Sequence, residues 1–102
     1  MEVRRSPAVM HRAMSAVVER ETMTCAGIEL KPEANLMQRI VFRRAFGAQP
    51  FVFYSVICAD CNYGLAHYIK SVGPSEFVLC IENQTPETRA IAVVYDAFRV
   101  ES

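Results

Sequence analysis

The second half of this chain, from Gln38 to Val100, is a succession of short β-branched and aromatic runs separated by turn residues, and that pattern limits the fold more than any other feature. Ile40-Val41-Phe42 opens it. Phe46 and Pro50-Phe51-Val52-Phe53 follow, and Ile91-Ala92-Val93-Val94-Tyr95 closes it. Short runs of residues with restricted χ1 favour strands over helices. Alternation over 51–59 predicts Val52, Tyr54, Val56 and Cys58 on one face, with Phe51, Phe53, Ser55 and Ile57 on the other. Over 88–100 it puts Ile91, Val93 and Tyr95 on one side and Ala92, Val94 and Phe98 on the other. Both strands are thus apolar on two faces. This predicts central positions for both, one face in a core and the other in a seam between copies of the chain. The simpler alternative is that sheet curvature buries both faces within one copy.

A chain of 102 residues fits one domain, with a small margin for building a core. The hydrophobic fraction of 52% exceeds the usual level for a soluble domain, which again points to burial between subunits. With 11 basic and 11 acidic residues the formal charge is zero, so nothing global favours nucleic acid or a membrane surface as partner. The longest apolar stretch, 50–59, falls well short of the ~20 residues a helix needs to span a bilayer. Met1-Glu2-Val3-Arg4-Arg5 leads into no uninterrupted apolar region, so no cleavable signal peptide is expected.

The cysteines are Cys25, Cys58, Cys61 and Cys80. The Cys58-Ala59-Asp60-Cys61 pair raises two sharp readings, a zinc site or a redox pair. A single close-spaced knuckle argues against zinc, and a turn at Asn62-Tyr63-Gly64 where a thioredoxin-like motif needs a helix argues against redox chemistry. Reduced thiols filling core or turn positions are the default expectation, with disulfides and metal as alternatives.

Residues 1–20 differ from the rest. Ser6-Pro7 suits a helix start, and Met10, Ala13, Met14 and Val17 recur at helical spacing, which predicts a short N-terminal helix or anchoring arm. From Glu21 the pattern turns strand-like, with Gly27 as a break and 31–35 as a loop. Further strands are predicted over 38–43, 51–59, 63–72, 76–82 and 88–100, with turns at 47–49 and 73–75 and a polar loop over 83–87. Six strands predict an all-β fold, a six-stranded antiparallel β-sandwich over 21–102.

Three phrases carry a resemblance: Ile40-x-Phe42-x-x-x-Phe46-x-x-x-Pro50-x-Val52, then Ser71-Val72-Gly73-Pro74-Ser75-Glu76-Phe77, then Val93-Val94-Tyr95-Asp96-Ala97. Over about residues 21–100 the chain resembles the H-type lectin domain and the related receptor-binding domains at the C-terminal ends of phage tail fibres. The resemblance implies a six-stranded antiparallel β-sandwich assembled as a trimer, in some lectins as a pair of trimers. Its motifs are packing positions: Phe42 and Phe46 both point inward if the chain bends between them, and Phe77 enters the core from a hairpin. Galactosamine-binding members use an arginine on the fourth strand and an aromatic-plus-histidine pair in the loop before the last strand. This chain has Tyr68 and Asn83-Gln84 near those places, so the sugar site does not carry over. It also has no Trp, the commonest stacking platform for a sugar, leaving Tyr54, Tyr63, Tyr68 and Tyr95.

No catalytic constellation, metal site or cofactor motif is expected. His11 and His67, the only histidines, fall far apart in sequence. Arg39, Arg43 and Arg44 read first as a solvated guard on a sheet edge, and second as a site for acidic glycans or an acidic neighbour. Asn83-Gln84-Thr85 matches a glycosylation sequon and reads as an ordinary polar loop. The best polar collection for binding is the Asp60, Asn62 and Tyr63 turn together with Tyr68, Asn83 and Gln84, whose groups suit sugar hydroxyls. The expectation is a non-enzymatic virion protein of a phage tail, collar or fibre tip: a homotrimer attached to other virion proteins through residues 1–20 and meeting a cell-surface glycan. The alternatives are a free-standing oligomeric lectin, secreted or cytoplasmic, and a small metal-binding enzyme using the four cysteines.

Overall fold

The computed structural model describes residues 16–59 and 64–101. These form six strands: β1 (Ala16–Leu30), β2 (Asn35–Val41), β3 (Phe51–Ile57), β4 (Leu65–Val72), β5 (Glu76–Asn83) and β6 (Arg89–Glu101). They make two three-stranded antiparallel sheets, β1-β6-β3 and β2-β5-β4. No helix of the described residues is long and apolar enough to cross a membrane.

The inner faces of the two sheets share one core. Ile91, Val93, Tyr95 and Ala97 of β6 meet Phe77, Leu79 and Ile81 of β5, and all are buried. The Phe77 and Tyr95 rings cross the gap edge-on with centroids 5.1 Å apart. Each fully buried aliphatic or aromatic side chain here contributes about 1.5–3 kcal/mol. Phe42 and Phe46 both point inward, as the sequence predicts. They meet edge-to-face at 4.9 Å, and their amides donate to Ser75 O and Pro74 O, which fixes the bend between them.

Three expectations need correction. Ala16–Arg20 are the opening residues of β1, not part of a helix, while 1–15, with Ser6-Pro7, Met10 and His11, lie outside the described residues. The apolar spacing around Val17 yields to cross-strand pairing. Val17 pairs with Val100, and the Arg20 guanidinium grips Asp96 through two hydrogen bonds of 2.9 and 2.8 Å. Next, Gly27 does not end β1. It takes φ 76° inside a register shift between Cys25 and Ile28, and the strand continues beyond it. Finally, β6 is central as expected, but β3 lies at an edge. Its outward face stays in solvent, with Phe51 58%, Phe53 64% and Ile57 51% exposed.

The connections sort to two poles. The 42–50 segment and the 73–75 turn lie at the pole where Ala16 pairs with Glu101. The 31–34 turn, the 84–88 loop and Gly64 gather at the other.

Candidate functional site

At the second pole, Asn83 and Thr85 form a polar hub. Asn83, the last residue of β5, is 0% exposed. Its amide nitrogen donates to Glu87 O at 2.7 Å and Lys31 O at 3.0 Å, and its amide oxygen accepts from the Thr85 hydroxyl at 2.7 Å and the Thr85 amide at 3.1 Å. Thr85 O in turn accepts from the amide of Glu33, a residue at φ 54°. Gly64, at φ 89°, lies against the Thr85 methyl, and its carbonyl accepts from the Gln84 amide at 2.6 Å. The hub thus knots three loops together.

This corrects the reading of Asn83 as a ligand contact. Every polar atom of its side chain is spent on the fold. Gln84 is exposed and donates to Glu82 at 3.3 Å. Asp60, Asn62 and Tyr63 lie outside the described residues. The expected meeting of their turn with the 83–85 loop is visible only at Gly64.

Tyr68 sits elsewhere, on the outer face of the β2-β5-β4 sheet. Strand register builds that face row by row: Met37, Cys80 and Tyr68 are directly opposite one another across three strands, and Asn35, Glu82 and Ala66 form the next row. Tyr68 and Met37 are 60% and 59% exposed. Small Cys80 and Ala66 leave a shallow groove between them, closed at one end by Lys70 and at the other by Asn35 and Glu82. A hydrogen bond with Cys80 pushes the pKa of the Tyr68 hydroxyl up. Tyr95 is core, with burial and a hydrogen bond donated to Glu21 both pushing its pKa up.

No family model matches this chain, and no curated protein or solved structure matches it. The site therefore rests on its own chemistry.

Tyr54 and His67 meet where the β3 and β4 edges stack, the Tyr54 hydroxyl lying 2.9 Å from His67 Nδ1. They tie the two layers together, and burial raises the Tyr54 pKa. The three arginines do not form one patch. Arg39 pairs with Glu76 across the second sheet, the Arg43 amide donates to Glu21 at 2.9 Å, and Arg44 borders a surface hollow beside Glu19 and Phe46. Cys25 and Cys80 are free thiols, and burial raises the pKa of the Cys25 thiol. Cys58 is disulfide-bonded, against the default expectation of reduced thiols. No group of three or more His, Cys, Asp or Glu side chains among the described residues could hold a metal ion.

The sequence reading missed two features. One is the pair of carboxylates, Glu19 and Glu21, on the inner face of β1. Glu19 accepts from the Gly47 amide at 3.1 Å and from Arg99, and these bonds hold its carboxyl below the usual range. Acidic residues alternating with arginine at a strand start were the available signal. The other is Met37 beside Tyr68, which becomes visible only once the β2-β5-β4 order is known.

Proposed function

We propose that this chain is a non-enzymatic assembly and recognition module: a trimeric, lectin-like β-sandwich of a virion, at a phage tail, collar or fibre tip. Residues 1–15 attach it to other virion proteins, and the sandwich turns toward a glycan-bearing host surface. The observation that carries this reading is the apolar outer face of the β1-β6-β3 sheet. Phe51, Phe53 and Ile57 are each more than half exposed, and the Phe98 ring lies 5.8 Å from Phe51 and 5.7 Å from Phe53. A lone soluble domain seldom leaves such a contiguous cluster in water. The six antiparallel strands in two layers, with Phe42, Phe46 and Phe77 turned inward, agree with what the lectin and tail-fibre resemblance implies.

Light scattering on the purified chain tests the assembly. The expected mass is a multiple of three chains, and a monomer at micromolar concentration sinks the reading. Removing residues 1–15 is expected to leave the oligomer intact and abolish particle incorporation.

The second reading, a free-standing lectin, is favoured by the Tyr68 groove. An exposed ring suits the apolar face of a sugar, and Asn35, Lys70 and Glu82 offer donors and acceptors to its hydroxyls. On a glycan array the chain is expected to bind, and Tyr68→Ala to lose at least tenfold in signal. Binding unaffected by that change would move the site elsewhere.

A further inference from the structure

Each sheet has two edge strands, and three of the four are guarded. β1 carries Glu19, Arg20, Glu21 and Glu29 and two register shifts. β2 carries Arg39, and β4 carries Lys70 at a register shift between Ile69 and Ser71. Such charges and bulges discourage edge-to-edge pairing. β3, Phe51-Val52-Phe53-Tyr54-Ser55-Val56-Ile57, has neither: no charged residue, no register shift against β6, and a proline only just before its start. Among the described residues, no backbone hydrogen bond outside the β6 ladder involves it.

We infer that the free edge of β3 pairs antiparallel with β3 of a second copy, joining two β1-β6-β3 sheets into one continuous six-stranded sheet. This rests on the oligomeric reading above and adds a two-fold contact to it. The strand is close to self-complementary. A two-fold axis at Tyr54 sets Phe51 opposite Ile57, Phe53 opposite Ser55, and Val52 opposite Val56. Aromatic–aliphatic and β-branched pairs of this kind stabilise cross-strand contacts. Phe51 and Ile57, already exposed, then carry the apolar stripe unbroken from one copy to the next.

The area sets the strength. Seven residues span about 23 Å, and the two stacked layers give the edge a depth of about 20 Å. The pair then buries about 900 Å² in all, below the ~1,200 Å² at which specific interfaces begin. One such contact is reversible and concentration-dependent. Between two trimers it occurs three times, and linkage within the assembly multiplies its effect. A three-fold axis cannot relate an edge to itself, so the contact demands an even number of chains.

The test is mass against concentration for the wild type, Ser55→Lys and Ser55→Thr, with circular dichroism of each. Ser55 is exposed on the outer face between Phe53 and Ile57, so a lysine there guards the edge without entering the core, and it also puts a charge on the apolar face. A six-chain particle that falls to three chains or fewer in S55K, and stays at six in S55T, is the expected result. A dimer falling to a monomer supports the pairing and overturns the trimer. Three chains at every concentration, or an even mass that folded S55K leaves unchanged, overturns the pairing alone. A monomer throughout overturns both. Hydrogen exchange at 51–57 gives a readout that needs no variant: it is expected to slow as the wild type is concentrated, and rates independent of concentration overturn the pairing.

Discussion

Asn83 shows how much one side chain can hold. Its removal leaves the Lys31 and Glu87 carbonyls and the Thr85 amide without their buried partner. Asn83→Ala is therefore expected to cost about 3 kcal/mol, read as a drop in the urea midpoint at unchanged slope. Gly64 is constrained on two counts. Its φ of 89° disfavours any side chain, and an added Cβ would lie 2.2 Å from the Thr85 methyl. Gly64→Ala is expected to cost at least about 2 kcal/mol. Thr85→Ser removes that methyl while keeping the hydroxyl, so the double variant should recover the steric part and leave the backbone part. Full additivity of the two changes would show that the methyl is not the obstacle.

At the scale of elements, the 42–50 segment is held from both sides. Phe42 and Phe46 fill the core, and Phe46→Ala is expected to cost about 3–5 kcal/mol in chemical denaturation. From β1, Glu19 receives the Gly47 amide and Arg99, and on the other face of the same sheet Asp96 receives Arg20 and Thr22. Hydrogen bonds from Arg99 and from Arg20, respectively, place each carboxyl below its usual range. A carboxyl lowered in the folded state binds fewer protons there than in the unfolded chain. Its contribution is full above the ordinary carboxylate range and is lost as pH falls through the lowered value. Stability is expected to decline below about pH 4, with a shallower decline in Glu19→Gln. Equal slopes for the two proteins would contradict this.

The strands and their inward faces were largely legible in the sequence. Alternation fixes which of Val52, Tyr54 and Val56 share a side, and the Phe42-to-Val52 phrase places its phenylalanines. Alternation says nothing about a strand's neighbours, which is why β3 was expected at the centre. The start of β1 was hidden because Val17 continues the helical spacing of Met10, Ala13 and Met14, and only the partners Val100 and Asp96 across the molecule make Val17 and Arg20 part of a strand. The candidate site was legible only in part. A polar loop reads alike whether its amides face water or, as with Asn83, are consumed inside. Nothing in the order of residues brings Met37 beside Tyr68.

At the scale of the whole molecule, the first strand pairs with the last. Neither outer ladder of β6 can close until nearly the whole chain is present, and this long-range topology is slow to form. Refolding is expected on the scale of milliseconds to seconds, from stopped-flow tyrosine fluorescence, the chain having no Trp. Microsecond completion would mean that the β1–β6 pairing is not limiting.

The pairing of Ala16 with Glu101 has a geometric consequence. Both ends of the strand framework leave from the same pole, so any segment joined to either end departs on that side. A single point of tether would then suffice to hold the body, with the knotted Asn83–Thr85 end turned outward like the head of a pin.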